Sequence, residues 1–274
     1  MSFKVEQTLL VSEKTNNEDY IWYNQNTALI FDGSTNLGLY ANLPDAYWYV
    51  QSFAKAFEEC IKTEPCLLSA LKNSIDAVAE RFYEITSIDP TQTTNTSSAS
   101  LSAVTVVEDR VDCYALGDCS SIVYFKDGTA PKLIRQNLVA QFDNVAIAEM
   151  VKIAKEKGID VCETISLPEI RSILAANRKK MNAPDGYWIL SFQKEAIDHM
   201  EKHSFPKDNV EGILMFTDGL NLMTDYFLQG VPKRPLADIC TELQKIENDD
   251  CTWNKYPRFH THDDVGAIYI KIED

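Results

Sequence analysis

Carboxylates recur in this chain where an apolar run ends. Asp32-Gly33 follows Ala28–Phe31, Asp118 follows Ala115-Leu116-Gly117, and Asp218-Gly219 follows Ile213–Thr217. Asn17-Glu18-Asp19 precedes one apolar stretch and Asp263-Asp264 precedes another. Taken singly, each is an ordinary turn, because Asp-Gly suits a chain reversal and strands often end on a solvated acid. Taken together, they predict that several strands deliver carboxylates to one edge. Clustered carboxylates repel unless they share protons or bind a cation. Hard oxygen donors in a chain with 4 histidines select Mg²⁺ or Mn²⁺ over zinc. Two such ions ~3.5–4 Å apart, bridged by one carboxylate, would make a nucleophilic hydroxide and clamp a phosphate. A glycine after the ligand lets the backbone turn tightly, so that its carbonyl can approach the ion.

The elements that must position these residues follow from periodicity. Phe3, Val5, Leu9 and Val11 alternate, which predicts a strand. Tyr20–Tyr23, an Asn24-Gln25-Asn26 turn and Ala28–Phe31 read as a β-hairpin. One helix is predicted from about Pro44 to Lys62, with Pro44 in its first turn. A second carries Leu67, Leu71, Ile75, Val78, Phe82 and Ile85 at helical spacing. Residues 87–100, rich in Thr and Ser around Pro90, read as a loop. Further strands are expected at 103–108, 111–116, 121–125, 212–216 and 265–272, and a helix at 236–246. A mostly helical stretch spans about Asn137 to His203, broken at Gly158, Pro168 and Pro184-Asp185-Gly186. Strand blocks with helices clustered between them favour layered α+β over a doubly wound sheet. No Pro/Gly-rich linker divides the chain, so a single domain over 1–274 is expected.

Composition narrows the partners. The 274 residues carry 26 Lys+Arg and 41 Asp+Glu, a net charge of −15. So acidic a chain lacks the basic face that nucleic acid or an anionic membrane requires. Its first residues hold too short an apolar run for a secretory signal, and no stretch suits a membrane span. Seven scattered cysteines without a C-x-x-C pair predict buried, reduced thiols in a cytoplasmic protein.

In order, Asn17-Glu18-Asp19, Phe31-Asp32-Gly33, Ser98-Ala99-Ser100-Leu101, Leu116-Gly117-Asp118-Cys119-Ser120, Phe216-Thr217-Asp218-Gly219-Leu220 and Asp263-Asp264-Val265 resemble the metal-dependent protein phosphatase (protein phosphatase 2C) family. The likeness is greatest to its bacterial, single-domain signalling members. The resemblance implies a four-layer αββα sandwich, with two central antiparallel sheets flanked by helix pairs. It implies a hydrolase that takes phosphate from serine or threonine of a phosphorylated protein, using water bridged by two Mg²⁺ or Mn²⁺ ions. Asp32 would bridge the two ions and the Gly33 carbonyl would ligate one. Asp218 and Asp263 would hold the other, with Glu18 acting on its ion directly or through water and Asp19 behind it. Asp118, with Asp218, would hold a third, weaker ion. The segment at about 137–209 would contain the family's variable flap, and its Asp185-Gly186-Tyr187-Trp188 resembles a stretch from a bacterial branch.

Three positions depart from the family pattern. Lys14 stands where many members have a phosphate-gripping arginine, keeping the charge and losing the bidentate fork. Ser34 stands where eukaryotic members carry a histidine thought to protonate the leaving group. Asp264 stands where asparagine is usual, adding a charge or an alternative ligand to Asp263. No core ligand is lost, so an active enzyme, monomeric and without nucleic-acid or membrane partners, is expected. The alternative is a catalytically weak member that binds a partner through 137–209.

Other constellations carry less. His260-Thr261-His262-Asp263-Asp264 superficially resembles a metallo-β-lactamase signature but ends in Val265; His262 is expected as a neighbour that tunes the site, or as a plain loop histidine. His199 and His203, one helical turn apart, are expected on a solvated helix face. The Thr91–Ser100 run reads as a strand entry before it reads as a phosphorylation target. No P-loop, dinucleotide-binding loop or G-x-S-x-G element occurs.

Overall fold

The computed structural model describes residues 2–35, 43–92 and 96–273. Its strands are β1 (Phe3–Val11), β2 (Asp19–Tyr23), β3 (Thr27–Ser34), β4 (Ser98–Val107), β5 (Arg110–Leu116), β6 (Ser120–Phe125), β7 (Lys132–Ile134), β8 (Glu201–Pro206), β9 (Val210–Phe216) and β10 (Val265–Ile272). Its helices are α1 (Ala46–Thr63), α2 (Leu67–Thr86), α3 (Leu138–Lys157), α4 (Val161–Thr164), α5 (Pro168–Arg178), α6 (Glu195–Asp198), α7 (Thr224–Phe227) and α8 (Leu236–Asp249). One antiparallel sheet runs β1-β10-β9-β6-β7 and the other β2-β3-β4-β5-β8. The layered α+β expectation holds.

Strand patterning builds the layers. In β3, Leu29 and Phe31 pack against α1 and α2, while Ala28 and Ile30 face the other sheet. Residues buried on both faces read as a continuous apolar run, because neither face meets water. In β9, Ile213 and Met215 face the opposing sheet and Leu214 and Phe216 face α8. The second outer layer is therefore α8 with the short α7, through Leu236, Ile239, Leu243 and Phe227. The first is the α1–α2 pair. Asp45 caps α1 by accepting the Trp48 N–H at 2.9 Å. Pro44 consequently lies just before the cap and not in the first turn, a shift of the predicted start. Helices α3, α4 and α5 form a separate small core with Trp253 around Met150, Ile153, Val161 and Ile170.

Several elements differ from expectation. β4 begins at Ser98, inside the expected loop, and residues 93–95 of that loop lie outside the described residues. The predicted helical stretch ends at Arg178; the chain beyond it is irregular apart from α6 and then becomes β8. His203 therefore sits on a strand opposite Cys113, and His199 caps α6 and stacks on Trp188, so the two share no helix face. Ile85, expected on the apolar stripe of α2, is 57% exposed in the last turn of the helix. All seven cysteines are free, yet only Cys113, Cys119 and Cys240 are buried, while Cys66 and Cys251 are exposed on loops. Among the described residues no helix is long and apolar enough to cross a membrane.

Candidate metal centre

The β2–β3 hairpin places the first carboxylates. Asp19 lies opposite Asp32 in register, and Asp32 lies opposite Ser100 of β4. Asp32 continues the face of Ile30, so it emerges at the end of the inter-sheet core. The Gly33 N–H donates to the Glu18 carbonyl at 3.1 Å. A Cβ on Gly33 would stand 2.5 Å from that oxygen, which is why only glycine keeps the hairpin closed here. Asp19 is 3% exposed; its N–H donates to Asn17 Oδ1 at 2.8 Å, and its Oδ2 accepts the Thr217 hydroxyl at 2.7 Å. That last bond ties the two sheets together.

The opposite sheet and the β5–β6 turn deliver the rest. Asp118 accepts the Ser100 hydroxyl, and its own N–H donates to Ser100 Oγ at 3.2 Å. Asp218 opens a 3₁₀ turn after β9, its N–H 3.5 Å from Asp32 Oδ2. Gly219 approaches so closely that a Cβ would lie 2.1 Å from the Asp264 carbonyl. Asp263 accepts the Asp264 N–H at 2.9 Å. Asp264 itself is spoken for: Ser12 Oγ (2.6 Å), Lys14 Nζ (3.2 Å) and the Glu18 N–H (2.9 Å) all donate to it. Lys14 also pairs with Glu18 at 3.0 Å, and Thr35 donates to the other Glu18 oxygen. His262 points away, its ring nitrogens meeting Glu247 at 2.7 Å and Asn248 at 3.2 Å.

Electrostatics mark Asp19, Asp32, Asp118 and Asp218 as one group. Burial pushes the Asp32 carboxyl well above the usual range, and Asp218, Asp19, Asp118 and Asp263 push further. Burial likewise raises Asp218, reinforced by Asp263 and Asp118. For Asp19 and Asp118, burial outweighs the hydroxyls of Thr217 and Ser100. The buried Cys119 thiol rises for the same reasons, burial first and then Asp32, Asp118, Asp19 and Asp218. Lys14 goes the other way. Burial opposes its charge, but Glu18 and Asp264 more than compensate and hold it protonated.

No family model and no curated protein matches the sequence. Solved structures match throughout the chain. The serine/threonine phosphatase PstP/Ppp of Mycobacterium tuberculosis aligns over 100% of both chains at 14% identity, with a TM-score of 0.57. The PstP catalytic domain in complex with two manganese ions aligns over 100% of this chain and 99% of that one, at 14% identity and TM-score 0.54. The PPM Ser-Thr phosphatase MsPP of Mycobacterium smegmatis, bound to cacodylate, aligns over 99% and 97%, at 16% identity and TM-score 0.52. The chain has the PPM-type phosphatase fold.

On this phosphatase fold, the donor set tests whether a divalent metal suits the residues present. Among the described residues, no three His, Cys, Asp or Glu side chains already form a group that could hold a metal ion. The chemistry of the set nonetheless fits a hard cation. Its members are carboxylates, gathered from both sheets, whose proton affinities are raised by burial first and then by one another. A divalent ion relieves their mutual repulsion directly.

Three arginines around the carboxylate cluster escaped the sequence. Arg178 of α5 donates to the Ser34 hydroxyl (3.0 Å), the Ser34 carbonyl (3.2 Å) and the Thr96 carbonyl (2.8 Å), strapping α5 onto the end of β3. Arg258 donates to Asp250 and to the carbonyls of Glu247, Asp250, Tyr256, His260 and Thr261, fixing the loop that leads to Asp263. Arg135 follows β7 and bonds Ser120 and Asn221. Arg178 and Arg135 act through tertiary contacts and Arg258 mostly through backbone carbonyls of its own loop, which any residue supplies, so spacing alone gives no signal.

Proposed function

We propose that the chain is a divalent-metal-dependent phosphomonoester hydrolase acting on phosphoserine or phosphothreonine of proteins in the cytoplasm. The observation that carries this reading is the gathering of Asp19, Asp32, Asp118 and Asp218 from both sheets into one mutually perturbed carboxylate group. It lies at the end of a sandwich shared with PstP and MsPP. Asp32, centred between Asp19 and Asp218, would hold two Mg²⁺ or Mn²⁺ ions at once, with the Gly33 carbonyl and Glu18 on one side and Asp218 and Asp263 on the other. Asp118 with Asp218 would hold a third, weaker ion. When bound, the ions supply Lewis acidity and a water of lowered pKa. Asp19, fixed by Thr217, would keep the hairpin registered so that Asp32 stays aimed. Lys14 would meet the phosphate after exchanging one of its two carboxylate partners. The α3–α5 segment, strapped at Ser34 by Arg178, would form the cleft wall, as a flap within a single catalytic domain.

A second reading has one observation in its favour. Because Lys14 is already paired with both Glu18 and Asp264, a weakly active chain that binds a partner through α3–α5 would look the same at that position. Turnover separates the two. With Mn²⁺ the protein is expected to hydrolyse p-nitrophenyl phosphate and a phosphothreonine peptide, and EDTA is expected to stop both. Failure on both substrates, or activity that survives EDTA, rejects the hydrolase reading.

A further inference from the structure

We propose that Arg135 is a specificity residue that binds an acidic side chain flanking the phosphorylated residue of the substrate. The inference rests on the phosphatase reading above and concerns a neighbouring space. A cavity of about 240 Å³ opens beyond Asp118, Asp218 and Asp263, between α3 and the loop at 256–260. Asp118, Asp218 and Asp263 line it while Glu18, Asp32 and Lys14 do not, so it adjoins the proposed metal set, within reach of a residue next to a phosphate held at Asp32.

Arg135 is built into the wall of this cavity. Its Nε donates to Ser120 Oγ, and its Nη2 to Asn221 Oδ1 and Thr224 Oγ1. All three acceptors are neutral. Among the described residues Arg135 pairs with no carboxylate, and its Nη1 makes no hydrogen bond. Asp118 and Asp218 favour its charge from farther off, while burial opposes it. In a chain with fifteen more acidic than basic side chains (41 against 26), a half-buried guanidinium left without an acid is unusual. Of the other charges of the cavity, only Asp143 is left without an ion-pair partner or a place in the proposed metal set. Arg258 is paired with Asp250 at 3.0 Å, and Glu247 with His262 at 2.7 Å. Asp118, Asp218 and Asp263 belong to the proposed metal set.

A guanidinium held through Nε and Nη2 by neutral acceptors keeps its Nη1 N–H groups fixed as charged donors for a carboxylate and loses little entropy on binding it. Ile147, Leu222, Pro257 and Phe259 supply apolar surface for the stem of such a side chain. Glutamate combines both requirements. The competing group is Asp143 of α3, on the same cavity, which would instead favour a lysine.

The test uses fluorescein-labelled phosphothreonine peptides with Glu, Gln or Lys immediately before and after the phosphorylated residue. Binding in Mn²⁺ is read by anisotropy and turnover as kcat/KM. The wild-type protein is expected to bind the Glu peptide about tenfold more tightly than the Gln peptide, the scale of one charge-assisted hydrogen-bond pair. Arg135→Gln is expected to erase that ratio and Arg135→Lys to keep part of it. A merely structural Arg135 would weaken both peptides equally and leave the ratio intact, which overturns the proposal. So does equal wild-type affinity, or preference for the Lys peptide. If the wild-type protein binds peptides yet never hydrolyses p-nitrophenyl phosphate, the phosphatase reading fails while the binding ratio still decides Arg135.

Discussion

Asp32→Asn is expected to lower manganese-dependent hydrolysis of p-nitrophenyl phosphate by at least about 10³-fold, the scale seen when a principal electrostatic group of an active site is removed. The same substitution is expected to raise the melting temperature of the metal-free protein. Asp32 stands at the centre of the carboxylate group, pushed up by burial and then by Asp218, Asp19, Asp118 and Asp263. An amide keeps its size and removes its charge, so the neighbours repel less. The two readouts moving in opposite directions separate a ligand from a packing residue, whose loss would lower both. Retained activity, or a destabilised metal-free protein, would count against the assignment of Asp32.

Manganese is expected to stabilise the protein, and by more at high pH than at low pH. Asp19, Asp32, Asp118 and Asp218 all bind protons more tightly in the folded chain than the ordinary value of 3.8 allows, chiefly through burial. The sign follows from linkage. Their contribution to stability is fully present below about pH 4 and is lost as pH rises through the elevated folded values. The metal-free melting temperature should therefore fall as pH rises above about 4. Metal competes with those protons, so its effect grows over the same range. At a hundredfold excess over Kd the gain is about 2.7 kcal/mol, or roughly 5–10 °C for a chain of this size. Differential scanning fluorimetry with and without Mn²⁺ at several pH values measures it. A shift of zero, or one equal at pH 5 and pH 8, would falsify a carboxylate metal site.

How legible the molecule is depends on whether each element carries its reason locally. Strands β3, β9 and β10 are apolar on two faces, so their runs stand out, and the carboxylates at their ends come with them. The α1 stripe of Tyr49, Val50, Phe53 and Phe57 is equally plain. β8 is hidden because Glu-Lys-His-Ser-Phe-Pro is an edge strand: one side is solvated, and charges there discourage pairing with another chain. The first half of β4 is hidden because its Ser98, Ser100 and Ser102 look like a loop. All three are buried, Ser100 serving Asp118 and Ser102 bonding Ser121 across the sandwich. Asp264 reads as a spare ligand in the sequence, whereas its oxygens bind Ser12, Lys14 and the Glu18 amide. Those three donors are supplied from the opposite end of the chain, which spacing cannot reveal.

The pairing of β1 with β10, from Phe3↔Ile272 to Val11↔Val265, bears on the order in which the molecule assembles. Asp19 and Asp32 meet within a hairpin and can approach each other early. Asp218 and Asp263 reach them only after β9 and β10 have docked and β1 has closed on β10. Pairings between such distant segments close slowly, because the entropy of bringing them together is lost before their contacts form. A half-assembled chain thus offers an incomplete donor set. On the proposed reading a cation cannot nucleate this fold; it selects the finished sandwich over its near-complete competitors.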